Sequence, residues 1–393
     1  MADPQAKQPV PDGTEASLPG TLAALTALAP EAGALDLDPA LFGRALGAAA
    51  LSVARHPESA ARAALRCALD LARTSLAAAS RATGHSVAGP VPQDAADRRF
   101  SDPAWEDNAA FFALRQSYLV LRRLSEDLLA AAELDTATRA KAVFAVELLA
   151  DALAPTNLLL TNPAALKRAF ETGGQSVVAG SRNCIDDILH NGGRPRQVDA
   201  SSFRLGENMA ATPSKVVYRN DLMELLQYMP QTDEVHATPL LASPPWINKY
   251  YVMDLAPGRS LIEWAVQHGR TVFAISYRNP DSSLSDVTMD DYLVHGTQAA
   301  LDVVTEITRS DTVDVLAVCL GGALATMNAA HLAASGNHAI GTLTLINTLL
   351  DYAEPGQLGC FVDEGTVRKL ERRMARKGYL DGADMAGAFN ALR

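Results

Sequence analysis

The stretch "VDVLAVCLGGALA", residues 313–325, runs an apolar, β-branched segment into a cysteine and then into two glycines. A strand that turns sharply into a helix lifts one side chain clear of the sheet, and small neighbours let the helix pass close to the strand. Ala317-Val318-Cys319-Leu320-Gly321 fits that pattern, with alanine at the first small position and cysteine where serine is usual. A thiol at such a corner is a candidate nucleophile for acyl transfer. The Leu320 N–H is one candidate oxyanion donor; the loop "SPPWINKYY" offers Ile247 and Asn248 as the other. The competing reading of Cys319 is a packing residue, because cysteine is among the most often buried residue types.

The elements that would hold this corner form a series. "SKVVYRN" and "MELLQYMP" read as two strands around an Asn220–Asp221 turn. Strands at 237–243, 270–277 and "VDVLAVC" then alternate with helices in "GRSLIEWAVQHG", "DDYLVHGTQAALDVVTEIT" and "GALATMNAAHLAAS", and "GTLTLINTLL" supplies another strand. Apolar strands alternating with helices imply a parallel sheet covered on both faces. Cys319 then ends the fifth strand, counting the hairpin, which is where an α/β-hydrolase design carries its nucleophile.

Upstream the period is helical. Residues 1–20 are rich in proline, glycine and polar groups, which predicts disorder. Residues 21–84 are alanine-rich with leucines at helical spacing, and "GHSVAGPVPQD" (84–94) reads as a linker. "NAAFFALRQSYLVLRRLSEDLLAAAEL" follows as a helix, Asp135 and Thr136 offer an N-cap to the next, and Gly173–Gly174 separates two more. The expected division is an extension over 1–95, a helical domain over 96–200, an α/β core over 201–351 and the start of a cap subdomain over 352–393.

Composition narrows the classes further. Thirty-four basic against 45 acidic residues give a formal charge of -11, which argues against a nucleic-acid partner. Cys67, Cys184, Cys319 and Cys360 are scattered without metal-ligand spacing, which fits reduced thiols in a cytoplasmic protein with no metal or other cofactor. The first residues carry no basic-then-apolar signal pattern, and no run reaches the ~18 apolar residues of a membrane span.

The segments "PPWINKYYVMDL", "SYRNPD", "DDYLVHG", "VCLGGALA" and "LLDYAEPGQLGCFVDEG" closely resemble the polyhydroxyalkanoate synthases. "RRFSDPAWEDN", "QSYLVLRR" and "APTNLLLTNP" resemble the helical N-terminal domain of that family's single-subunit classes, so the likeness runs over about residues 98–393. It implies an acyltransferase that polymerises (R)-3-hydroxyacyl-CoA into storage polyester with release of CoA, with Cys319 carrying the acyl group as a thioester. It also implies a homodimer, or a dimer with a full-length synthase, working in the cytoplasm or at the polyester granule surface. The family's aspartate and histidine lie far downstream, in that order. Only His331 and His338 follow Cys319, and both read as surface residues, while Asp351 reads as a strand-end cap.

The expectation is therefore an incomplete α/β-hydrolase core that lacks its last strands, two thirds of its catalytic triad and its own activity. Two other classes stay open: a non-catalytic paralogue that binds a full-length synthase, and a lipase- or depolymerase-like hydrolase. Tyr277 stands in "SYRNPD" where tryptophan is common in the family. Arg278, Asn279 and Asp281 beside it fit loop ordering or a structural network equally. Asp254 and His295 read as a turn residue and a helix residue. Acyl-chain length is not legible, because cap and late loops shape that pocket.

Overall fold

The computed structural model describes residues 39–380, apart from 95, 194 and 197, together with residue 382. The expectations for residues 1–38 and for the cap beyond residue 382 lie outside the described residues. The chain divides into two compact units near residue 196.

The first unit is helical. Helices α1 (Pro39–Arg55), α2 (Pro57–Ala82), α3 (Ala109–Ala131), α4 (Thr136–Ala152), α5 (Pro163–Glu171) and α6 (Gln175–His190) follow in order. α2 buries Ala63, Cys67, Asp70, Thr74 and Ala77, a stripe spaced by fours and threes that packs along α3. Small side chains on that stripe give little shape to fix the register, and ion pairs supply it. Asp70, 3% exposed, accepts from Arg73 at 3.1 Å and is also paired with Arg123 of α3. Asn108, Asp135 and Asn162 cap α3, α4 and α5, each accepting backbone N–H groups of the first turn.

Here the structure corrects two expectations. Residues 39–94 belong to the helical unit, because α1 packs on α4 and α2 on α3, so the extension read over 1–95 does not describe them. Nor is 84–94 a loose linker. The Gln116 amide accepts from Val91 N–H at 3.2 Å and donates to Val91 O at 2.9 Å, pairing with that residue as a strand would. Arg115, 2% exposed, donates to Gln93 Oε1 at 2.7 Å and pairs with Glu106. Arg81 reaches Val87 O at 2.9 Å and lies 3.8 Å over the Phe112 ring. The glycines and prolines that read as helix breakers do break the helix, but buried polar side chains then pin the segment.

The second unit is α/β. Its strands are β1 (Ser214–Arg219), β2 (Met223–Tyr228), β3 (Leu240–Ser243), β4 (Val272–Tyr277), β5 (Val313–Val318) and β6 (Ile340–Ile346). They form one sheet in the order β1-β2-β4-β3-β5-β6. β1 and β2 are antiparallel around the expected Asn220 turn, β2 is antiparallel to β4, and β4, β3, β5 and β6 are mutually parallel. The longer helices of this unit are α7 (Leu261–Gln267), α8 (Ala299–Thr308), α9 (Leu320–Ala334) and α10 (Glu364–Lys377). Alternate residues of the central strands face opposite layers. Leu241, Phe273, Ile275, Val313, Val315 and Ala317 pack with Leu301 and Val304 of α8, while Ala242, Val272 and Ala274 pack with Ile262 and Val266 of α7.

One helix differs from its expectation. The segment read as continuous over 290–308 opens as a single α-turn at Met289–Asp291, passes through a π-helix at Tyr292–Gln298 and only then becomes α8. Within the π-helix, Gly296 packs so closely on Tyr277 that an added Cβ would stand 3.1 Å from the phenol oxygen.

Candidate active site

Cys319 stands between β5 and α9 with φ 52° and ψ -123°. Arg309, another non-glycine residue with positive φ, sits in the ordinary left-handed well at φ 54°, ψ 28°. Cys319 lies outside that well, in a conformation that costs about 1–3 kcal/mol and persists only where surroundings impose it. The surroundings are visible. Cys319 N–H donates to Ile346 O of β6 at 2.9 Å, extending the β5–β6 ladder, while Cys319 O accepts from Gly322 N–H at 2.9 Å and Ala323 N–H at 3.3 Å as α9 begins. The residue is thus held by sheet on one side and helix on the other, and its side chain is exposed.

The glycines after it make the corner sterically possible. A Cβ on Gly321 would sit 2.3 Å from Ser243 O and 2.6 Å from Pro244 O, and one on Gly322 would sit 2.0 Å from Thr348 Oγ1. No side chain fits at Gly321, where the start of α9 lies against the backbone that leaves β3. Ala317, at the first small position of the pattern, is fully buried in the core, so a methyl group is accommodated there.

That close approach brings the "SPPWINKYY" loop to the elbow. Ser243 pairs with Ala317 across the parallel ladder, and the buried Ser243 hydroxyl donates to Gly321 O at 3.4 Å. Pro244 and Pro245 are buried, while Ile247 and Asn248 are exposed. The two candidate donors differ: Asn248 N–H closes a turn onto Pro245 O at 3.2 Å, and no such bond engages Ile247 N–H among the described residues. Leu320 is the first residue of α9, where an N–H has no intrahelical acceptor. Leu320 N–H and Ile247 N–H are thus both without a backbone acceptor among the described residues.

The neighbouring loops are tied to this edge. Lys249 Nζ donates to Asn279 Oδ1, joining the loop after β3 to the loop after β4. Arg278 donates to Asp281 at 2.7 Å and to Ser283 at 3.0 Å, and Asp281 accepts from Ser283 N–H at 2.8 Å. Those bonds, led by the one from Ser283, hold the Asp281 carboxyl down to about 2. Trp246 and Tyr277 each stand 5.7 Å, centroid to centroid, from Tyr292, giving an aromatic row beside the candidate donors. Burial pushes the Tyr277 phenol well above its usual range. Asp254, 1% exposed, accepts from Thr212 at 2.7 Å.

The later histidines do not approach the thiol. His331 lies eleven residues into α9, roughly 17 Å along the helix axis at ~1.5 Å per residue. His338 precedes β6 and so sits at the amino end of a strand parallel to β5; at ~3.3 Å per residue the length of β6 puts it roughly 23 Å from the carboxyl edge. Asp351 accepts from Ala353 N–H at 2.9 Å and serves the turn there. His295 pairs with Asp291 at 4.0 Å. Among the described residues no cluster of acidic, histidine or cysteine side chains is arranged to hold a metal ion.

Sequence reasoning found the corner and its loop but not the Lys249–Asn279 tie, the tilted Trp246–Tyr292 ring contact or the π-helix. Nothing in "DDYLVHGTQ" marks a π-turn beyond a glycine within a helical period.

Strand order, hairpin entry and a strained strand-to-helix corner define an α/β-hydrolase-type unit, here preceded by a helical one. Residues 96–265 match the family described as Poly-beta-hydroxybutyrate polymerase (PhaC) N-terminus. A poly(3-hydroxyalkanoate) polymerase of Methylorubrum extorquens is 42% identical over 312 residues, 78% of this chain and 52% of that protein. The polymerase subunit PhaC of Cupriavidus necator is 42% identical over 302 residues (76% and 51%), and polymerase 1 of Ectopseudomonas oleovorans 40% over 297 (76% and 53%). Over about three quarters of its length the chain is similar to these poly(3-hydroxyalkanoate) polymerases, and it spans about half the length of the curated relatives it matches.

Proposed function

We propose that this chain carries the nucleophile half of a polyhydroxyalkanoate synthase site, an acyltransferase centre in which Cys319 accepts the acyl group of a (R)-3-hydroxyacyl-CoA. The observation that supports this most is the strained backbone of Cys319, an exposed thiol locked between β6 and α9 with the glycine after it pressed on the β3 loop. A packing cysteine gains nothing from that conformation.

In the proposed step the Cys319 sulfur attacks the acyl-CoA carbonyl carbon, the carbonyl oxygen becomes an oxyanion, and the C–S bond to CoA then breaks. CoA leaves as a thiol and Cys319 keeps the acyl group as a thioester, a form that stays activated for the next transfer. Leu320 N–H and Ile247 N–H are the oxyanion donors of this reading, and Asn248 shapes the loop through its turn onto Pro245. The hydroxyl of a second 3-hydroxyacyl unit attacks the thioester in elongation, which needs a base. His331 and His338 are too distant for that role, and the resemblance puts the family's aspartate and histidine in a later segment. The residues described here thus supply acylation rather than turnover. No resident cofactor is invoked, and acyl-CoA and the growing polyester are substrate and product. No helix among the described residues is long and apolar enough to cross a membrane, and the site of action in this reading is the polyester granule surface.

Mixing the purified chain with 3-hydroxybutyryl-CoA tests this. The expected result is release of at most one CoA per chain, a matching mass increase on the peptide bearing Cys319, and neither in Cys319→Ala. Labelling elsewhere, or none at pH values where the thiol is ionised, would sink the nucleophile assignment. Repeated turnover would show a base within this chain and overturn the acylation-only reading.

A further inference from the structure

The loop after β3 is tied down unevenly around its candidate donor. On one side of Ile247, Asn248 N–H turns back onto Pro245 O and Lys249 Nζ reaches Asn279. On the other side stands Trp246, a half-buried ring 5.7 Å from Tyr292, the first residue of the π-helix.

The π-helix decides where that tyrosine points. Each N–H in such a turn bonds five residues back instead of four, so the segment holds one residue more than an α-helix of the same turns. Behind it α8 is fixed in the core by Leu301 and Val304. Rewinding Tyr292–Gln298 as α-helix would therefore swing Tyr292 by one residue, about 100° around the axis, and carry its ring away from Trp246 and Tyr277. Three neighbours hold the wider turn. Asn220 Nδ2 donates to His295 O at 2.8 Å, the Tyr277 ring lies against Gly296, and the buried Asn328 of α9 donates to Gln298 Oε1 at 3.1 Å. The β1–β2 turn, β4 and the helix that begins at Cys319 thus converge on one irregular turn.

We propose that Tyr292 is a positioning residue for acyl transfer: the π-helix directs its ring onto Trp246, and that contact sets where the Ile247 N–H points. The inference rests on the reading of Cys319 as acyl acceptor and adds to it the group that aims one oxyanion donor. Such a donor works only within about 2.7–3.1 Å of the developing oxyanion, so a displacement of roughly 1 Å forfeits most of its effect.

The test compares two reactions of the Cys319 thiol in the whole chain, both read by mass on the peptide that carries it. Acylation by 3-hydroxybutyryl-CoA passes through an oxyanion; alkylation by iodoacetamide displaces iodide and forms none. Tyr292→Leu is expected to slow the limiting rate of acylation about 10–100-fold, with the half-saturating acyl-CoA concentration and the alkylation rate unchanged. Tyr292→Phe keeps the ring and should keep the wild-type rate. Trp246→Leu should reproduce the loss, and the double variant should lose no more than either single one. Equal acylation by Tyr292→Leu and wild type overturns the proposal alone, whereas no acylation of the wild type overturns the Cys319 reading and this inference with it. Slowing of alkylation as much as acylation would place the effect on the thiol, and losses that multiply in the double variant would separate Tyr292 from Trp246; either result overturns the proposal.

Discussion

The helical and α/β units solve the same problem, fixing a register, by opposite means. In the helical unit the α2–α3 contact is lined by alanines, and specificity comes from buried charge: Asp70 between two arginines, and Arg115 on Glu106 and Gln93. In the α/β unit backbone ladders set the register and the core strands are apolar. Its buried polar side chains include the Tyr277 phenol facing Thr297 near the end of β4 and the π-helix, and Asn328 on α9, whose Oδ1 has no partner. Charge is used where side-chain shape is poor; among the described residues the non-glycine residues with positive φ, Ala210, Arg309, Cys319 and Asn347, all lie in the unit that carries the candidate chemistry.

Substitutions can break that contrast. The largest effect is expected at Gly321→Val, whose Cβ meets backbone oxygen that cannot retreat without moving β3; a loss of about 4 kcal/mol or outright failure of the α/β unit to fold should appear in urea melts. Arg115→Ala leaves Glu106 and Gln93 without their buried partner and should cost about 3 kcal/mol in the helical unit. A loss under 1 kcal/mol would show that packing alone holds α3 against the segment that carries Gln93 and Glu106. Gly89→Ala drives its methyl group into Gln116, 2.2 Å away, and should cost about 1–3 kcal/mol while making residues 84–94 more sensitive to protease. In Gly47→Ala on α1 the new Cβ meets nothing within 4 Å, and a gain of about 0.5–1 kcal/mol is expected.

The smallest effect concerns pH. Arg99's side chain bonds to Asp97 and holds its carboxyl below the usual range. The stabilisation is complete above the unfolded carboxylate pKa of about 4 and is lost as pH falls through the lower folded value. Asp97→Asn should therefore make the acid limb of the helical unit's stability curve shallower and leave its slope above pH ~5 unchanged.

Much of the fold was legible. The hairpin around Asn220, the alternation that followed it and the Gly173–Gly174 break all stand where local chemistry puts them, because turn residues and apolar period act over a few residues. The failures were non-local. "GHSVAGPVPQD" has every mark of a linker, and only Gln116, Arg115 and Arg81, distant in sequence, make it a fixed strap. The π-helix at Tyr292–Gln298 likewise follows from how Gly296 and Thr297 meet Tyr277, a contact no helical period encodes.

The candidate site divides the same way. The sequence by itself determined that a small-x-Cys-x-Gly corner ends an apolar strand, because a glycine pair and a β-branched run leave the backbone few alternatives. Tertiary structure alone decided that Cys319 is strained and exposed, that Gly321 touches the β3 loop, and that Ile247 rather than Asn248 keeps its N–H unspent. Those features depend on how β3, β5 and β6 lie side by side, and ladder partners some seventy residues apart leave no mark on their neighbours in the chain.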